Sequence, residues 1–170
     1  MNLKEHIRGI PNFPKPGIFF YDISTLLAHP EAWSACIEKL AHIIAPQKPD
    51  LLVGIESRGF LFSTLLAYRI GVGSVMIRKS GKLPGVLIKK NYALEYGETT
   101  LELQKESQLI GKSIILLDDL LATGGTIGAA KSLLEQCGAV VVACAVVVEL
   151  RALKGRENVG LPVISLQSYD

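Results

Sequence analysis

The chain has 170 residues, 49% hydrophobic and 20% charged, with a net charge of +2. That balance excludes a disordered polymer, supplies enough apolar surface for one domain over residues 1–170, and is too nearly neutral to suggest nucleic acid. The apolar run Ala139–Val148 is about half of a membrane span, and the opening Met1–Arg8 mixes charges where a signal peptide is apolar. A cytoplasmic chain with no membrane partner is expected.

Residues 1–10 read as a short helix ended by Pro11, followed by a rigid turn-rich hook, Phe13-Pro-Lys-Pro-Gly-Ile18. Phe19, Phe20 and Tyr21 come next, either a strand plugging into the core or an aromatic clamp for a flat ligand. Pro30 opens a helix to Ala45, with Trp33, Ile37, Leu40, Ala41 and Ile44 on one face. Leu51–Ile55 is a buried strand that turns through Glu56-Ser-Arg-Gly59 into a helix, Phe60–Ile70. A third strand, Ser74–Ile77, runs into Arg78-Lys-Ser-Gly-Lys82, three cations leaving a strand end, where open α/β sheets bind ligands.

Leu83–Gly97 is long and lacks a helical period, which marks a lid. Thr99–Gln104 alternates and reads as an exposed strand, paired with part of that lid. Ile114–Leu117 is a buried strand with Asp118 and Asp119 at its end, then the small-residue turn Ala122-Thr-Gly-Gly-Thr126 and a helix, Ile127–Cys137. Val140–Val148 is a long buried strand, Leu150–Arg156 a basic turn or short helix, and Leu161–Leu166 an edge strand. Repeated strand-helix units predict an α/β fold with a mainly parallel central sheet flanked by helices, the three unusual strand ends converging on one site.

The turn after Asp118-Asp119 carries the chemistry. Gly124 and Gly125 admit close approach to backbone, and the free amides of the following helix favour an anion, so the stretch reads as a phosphate cradle with a polyol or metal site beside it. Thr123 stands where a dinucleotide fingerprint has its first glycine, and no Gly-Lys-Ser/Thr loop occurs. Beside such a cradle Arg58 becomes an anion clamp. Cys36, Cys137 and Cys144 fit helix and strand patterns as reduced buried residues, and His6, His29 and His42 lack zinc spacing.

The Asp118–Thr126 stretch resembles the 5-phosphoribosyl-1-diphosphate (PRPP) motif of phosphoribosyltransferases. Phe13-Pro-x-Pro-Gly-Ile18, Asp22-Ile23, Ser57-Arg-Gly-Phe-Leu-Phe62, Arg78-Lys-x-Gly-Lys-Leu-Pro-Gly85, Leu94-Glu-Tyr-Gly97 and Leu153-Lys-Gly-Arg-Glu157 accompany it in order. Together they resemble the adenine phosphoribosyltransferase family from end to end. Glu56 where aspartate is common, Ser63 where glycine is frequent and Tyr21 where arginine is frequent depart from the pattern.

The resemblance implies the type I phosphoribosyltransferase fold with a lid loop and a small N-terminal hood. It implies a glycosyltransferase of purine salvage that converts adenine and PRPP to AMP and pyrophosphate with Mg²⁺, as a homodimer. Ala122, Thr123, Gly124, Gly125 and Thr126 would hold the 5-phosphate, and Asp118 and Asp119 the ribose hydroxyls and, through water, the metal. Ser57, Arg58 and Lys79, with Arg78 and Lys82 as further candidates, would meet the diphosphate. Glu95 would be the catalytic carboxylate at the purine, and adenine would lie on Phe20 with backbone groups of Phe19 and Tyr21 at its amino edge. A phosphoribosyltransferase for 6-oxopurines and a PRPP-binding regulator are the rival readings.

Overall fold

A computed structural model describes residues 1–94 and 97–170. Seven strands form one sheet in the order β5-β6-β4-β3-β7-β8-β9, and two more, β1 (Arg8–Pro11) and β2 (Phe19–Asp22), form a separate antiparallel pair. The central strands β3 (Leu51–Ile55), β4 (Gly73–Lys79), β7 (Ser113–Leu121), β8 (Val140–Leu150) and β9 (Val163–Tyr169) are mutually parallel, whereas β5 (Leu87–Leu94) and β6 (Gly97–Gln104) are an antiparallel hairpin on the β4 edge. The result is a mainly parallel sheet flanked by helices, with an antiparallel hairpin at one edge and a small N-terminal unit, the architecture that the family resemblance implies.

The unbroken apolar runs of β3, β7 and β8 are explained by cover on both faces. On one face Leu26 of α1 (Ser24–Leu27), with Leu3 and Ile7 of the hood, joins the core in which α2 (Pro30–Ile44) and α3 (Gly59–Ile70) bury Ile37, Leu40, Ile44, Phe62 and Leu66 against Leu52, Ile115, Leu117 and Val147. On the other, α4 (Gly125–Gln136) buries Ile127, Ala130, Leu133 and Leu134 against Val53, Ile55, Leu116 and Val146. The crossover through α3 leads from β3 to β4, and that through α4 leads from β7 to β8 in the opposite direction across the sheet. The crevice between the ends of β3 and β7 is therefore the topological switch point, where ligands of such sheets bind.

Four expectations change. Residues 1–10 do not form one helix: a 3₁₀ turn, Leu3–His6, gives way to β1, because β2 offers a paired strand with Arg8 bonded to Asp22 across it. The lid is largely strand, since β5 pairs with β6 from Leu87–Gln104 to Leu94–Gly97. Leu101, Glu102 and Leu103 are buried rather than exposed, because that hairpin packs against α4 as well as β4. Finally, β7 continues past Leu117 to Leu121, held by β8 through Asp118–Val146 and Leu121–Glu149. After Arg151–Leu153, a short α5 (Gly155–Val159) precedes β9. All three cysteines are free and buried.

Candidate active site

Pairing between β3 and β7 stops at Gly54–Leu117, whereas pairing between β7 and β8 goes on for four residues. Asp118 and Asp119 therefore lie on a strand with one edge uncovered, and the crevice beside them opens into two hollows of about 200 and 250 Å³. The first is lined by Arg58 and the continuous stretch from Asp118 to Ile127. The second brings Glu56, Ser57, Arg58 and Lys79 together with Tyr92, Leu94, Thr99, Asp118, Asp119 and Thr126. All three strand ends named from the sequence thus meet.

The cradle is built from backbone. The first bond internal to α4 runs from the Gly128 N–H to the Gly124 carbonyl at 2.9 Å, so the amides before it have no helical acceptor and lie at the positive end of the helix dipole. Gly124 caps the helix with φ of 87°, a left-handed conformation that favours glycine. Beneath it, Gly155 of α5 packs so closely that a Cβ there would lie 2.3 Å from the Ala122 carbonyl oxygen. The Asn158 amide donates to the Thr123 carbonyl at 2.8 Å, and the Thr126 hydroxyl donates to the Tyr92 hydroxyl at 3.1 Å. One contact fixes the cradle to α5 and the other to the lid hairpin.

The carboxylates are electrostatically unlike. Burial pushes Asp118 well above the usual carboxylate range, and the negative charge of Asp119 pushes it the same way. Asp119, 4% exposed, is also raised by burial, but Arg58 opposes the shift with its Nε 3.0 Å from Oδ2. That Oδ2 has no hydrogen-bond partner within geometric limits. The guanidinium of Arg58 also lies 5.3 Å from the centre of the Phe20 ring, so the aromatic hook and the acid pair share one arginine.

Alternation along β2 places Phe20 opposite to Phe19 and Tyr21. Phe20 meets Phe13 edge-on at 5.1 Å, whereas Tyr21 meets Phe19 at 5.2 Å and Tyr169 of β9 at 4.0 Å. Strand and aromatic clamp are thus compatible readings: β2 is a strand, and its Phe20 ring lies beside Arg58, which lines both hollows. Among the cations at the end of β4 and just beyond it, Lys79 lines the second hollow, but Arg78 and Lys82 are not brought there. Arg78 pairs with Glu56 at 3.3 Å and Lys82 at 2.5 Å, because a buried acid one residue before Ser57 needs counter-charge. Burial pushes Glu56 upward, and the bonds from Lys82, the Lys79 N–H and Arg78 outweigh it, holding the carboxyl at about 2. Glu95 lies outside the described residues.

Tyr92, Thr99, Gly155 and Asn158 take places at the site that sequence reasoning did not assign. Gly155 lay within a quoted motif, Leu153–Glu157, with Asn158 next to it, but nothing in that spacing says the segment sits under residues 122–126.

A family model for the phosphoribosyl transferase domain matches residues 22–165. A relative from Rhodospirillum rubrum, called adenine phosphoribosyltransferase, is 56% identical over 170 residues, covering 100% of this chain and 99% of its own. This chain belongs to the adenine phosphoribosyltransferase family. A relative of the same name from Mus pahari is 51% identical over 168 residues, 96% of this chain and 93% of that one. The crystal structure of adenine phosphoribosyltransferase from Thermoanaerobacter pseudethanolicus matches with a TM-score of 0.95 at 45% identity, over 98% of each chain. That from Saccharomyces cerevisiae, complexed with an imino-altritol bisphosphate and adenine, matches at 0.93 and 40% identity, over 97% of this chain and 96% of that one. In this phosphoribosyltransferase the Asp118–Thr126 stretch, Ser57-Arg58 and Lys79 are the parts of the family motifs that line the two hollows, with Leu94 at the second.

Proposed function

We propose that the chain transfers the 5-phosphoribosyl group of PRPP to adenine, releasing pyrophosphate and forming AMP in purine salvage. The observation that carries this is the pair of adjoining hollows, sharing Arg58, Asp118, Asp119 and Thr126, which residues 122–126 and Lys79 also line, with the Phe20 ring centre 5.3 Å from the Arg58 guanidinium. The bond between the anomeric carbon and the diphosphate breaks with its electron pair leaving on the diphosphate, and a bond to adenine N9 forms. Ala122, Thr123, Gly124, Gly125 and Thr126 bind the 5-phosphate through backbone and hydroxyls, and Asp118 and Asp119 orient the ribose hydroxyls. Ser57, Arg58 and Lys79 stabilise charge on the departing diphosphate. Glu95 accepts the proton that the purine loses, and adenine stacks on Phe20.

Among the described residues no cluster of three or more metal-ligating side chains occurs, so a Mg²⁺ ion would draw most of its ligands from substrate and water. The residues present fit that arrangement: Asp118 and Asp119 place adjacent carboxylates at the crevice, and Asp119 Oδ2, though ion-paired with Arg58 at 3.0 Å, makes no hydrogen bond. When bound, the ion would neutralise the leaving group. Residues 1–170 are read as a single phosphoribosyltransferase domain. Among the described residues no helix is long and apolar enough to cross a membrane, and a cytoplasmic enzyme without nucleic-acid partners fits this chemistry. A homodimer is the proposed assembly, and the outer face of α3 supports it: Leu61, Leu65 and Tyr68 are exposed one helical turn apart, Tyr68 at 88%.

The test is pyrophosphate release from PRPP and Mg²⁺ with adenine, hypoxanthine, guanine or no base, beside a Glu95→Ala variant. Adenine-only turnover, much reduced in the variant, is expected. Turnover with a 6-oxopurine would refute the base assignment, and PRPP binding without turnover would favour the regulator.

A further inference from the structure

The end of β4 and the loop leaving it, Arg78–Lys82, are held by two buried carboxylates. Glu56, whose side chain is 7% exposed, accepts from the Lys79 N–H at 2.9 Å and Arg78 Nε at 3.3 Å on one oxygen, and from Lys82 Nζ at 2.5 Å on the other. Glu102 of β6, with no exposed side-chain surface, accepts from the Ser80 hydroxyl and the Gly81 N–H, each at 3.0 Å. Its third partner is Lys89 Nζ at 2.8 Å, on the lid strand β5. Every residue of the loop is therefore bonded to one of these two acids.

The charge arrangement is informative. Arg78, Lys82 and Lys89 are each spent on a carboxylate, whereas Lys79 makes no ion pair among the described residues and lines the hollow with Arg58, Asp118 and Asp119. If attraction of an anion were the only requirement, two negative charges beneath the loop would be a handicap. Burying a carboxylate is unfavourable unless it is fully bonded, and these two are bonded chiefly to the loop itself. What they gain is geometry: an ammonium set in advance costs no reorganisation when charge develops on a leaving group.

We infer that Glu56 and Glu102 are positioning residues for the leaving diphosphate, holding the loop so that Lys79 is its cation toward that group, with Glu102 also tying the loop to the lid hairpin through Lys89. This rests on the transfer reaction proposed above.

The test is a double-mutant cycle with Glu56→Gln and Glu102→Gln, each alone and combined with Lys79→Met. Steady-state constants for both substrates and calorimetric affinity for pyrophosphate are read together. Each glutamine variant is expected to raise the KM for PRPP and weaken pyrophosphate binding about tenfold, the scale of one charge-assisted contact, with the KM for adenine within about twofold. Adding Lys79→Met to either should then change little, because the contribution of Lys79 is already lost. A purely structural role would instead lower the folded fraction with KM unchanged, and Lys79→Met would multiply its full effect; either result overturns the inference. If a glutamine variant does not fold, Lys89→Met, which removes a half-exposed ammonium and leaves the carboxylate, enters the same cycle. Turnover by the unmodified protein with independent effects would refute this inference alone. Pyrophosphate binding without turnover of adenine would refute the reaction alone, and the cycle is then read on pyrophosphate affinity.

Discussion

At residue scale the site depends on close backbone approach more than on side-chain variety. Gly155 is the sharpest case, with the Ala122 carbonyl and the Leu121 side chain filling the space where a Cβ would go. Gly155→Ala is expected to cost roughly 1–3 kcal/mol of stability and to raise the KM for PRPP more than that for adenine, because the displaced carbonyl belongs to the phosphate cradle. Thermal unfolding and steady-state kinetics on the same preparation check both parts. A fall in stability with PRPP affinity unchanged would show that the cradle tolerates the shift. That Asp118 and Asp119 stand beside the turn at the crevice was legible in the chain, because two acids before a Thr-Gly-Gly-Thr turn form a narrow pattern. Lys79 was set ahead of Arg78 and Lys82 only by the family resemblance, and the physical reason for that order lies in the fold. Three cations in five residues look alike until a carboxylate 26 positions from Lys82 claims one and its neighbour Arg78 as well.

At the scale of elements, the short α5 matters beyond its length. It is anchored by Arg156, which donates to both oxygens of buried Glu149 on β8, at 2.5 and 2.7 Å, and to Ser165 and the Val163 carbonyl on β9. From there α5 supports the cradle through Gly155 and Asn158. Arg156→Met should remove about 3 kcal/mol of stability by leaving Glu149 without its cation, and should weaken PRPP binding by loosening α5. Chemical denaturation and the KM for PRPP report the two effects. The lid belongs to the same scale. The run without helical period was expected to lend part of itself to a strand beside Thr99–Gln104, and Leu87–Leu94 does so against Gly97–Gln104, a strand character that is a property of the pair.

For the whole molecule, two anchored carboxylates set a pH dependence. Asp22 is lowered to about 2 by hydrogen bonds from Ser24 and by Arg8, and Glu56 reaches about 2 in spite of its burial. A carboxylate with a depressed folded-state pKa contributes stability above its unfolded pKa and loses it as pH falls through the folded value. The contribution is therefore complete above about pH 4.5 and disappears toward pH 2. It is on the order of 1 kcal/mol per group once solvent screening is counted. Urea midpoints at pH 6 and pH 3, with Glu56→Gln as control, should show a smaller drop in the variant. The proposed dimer makes its own prediction: Tyr68→Asp should shift the mass measured by light scattering from two chains to one at micromolar protein. An unchanged dimer would move the interface off the outer face of α3.

What the chain determined by itself was local. Buried apolar runs specified β3, β7 and β8, prolines and glycines marked where elements end, and the order of short motifs identified the family, because each of these is carried by neighbouring residues. The first ten residues were misread for the complementary reason: β1 exists only because β2, eleven positions on from Arg8, pairs with it. Tertiary structure alone showed why Lys79 lines the hollow while Arg78 and Lys82 are held by Glu56, which ring of the aromatic hook meets Arg58, and which glycine packs beneath residues 122–126. Those choices depend on contacts between segments far apart in sequence, and burial sets their outcome: a buried charge must be matched by whatever the fold brings within bonding distance, and no local pattern records which residue that is.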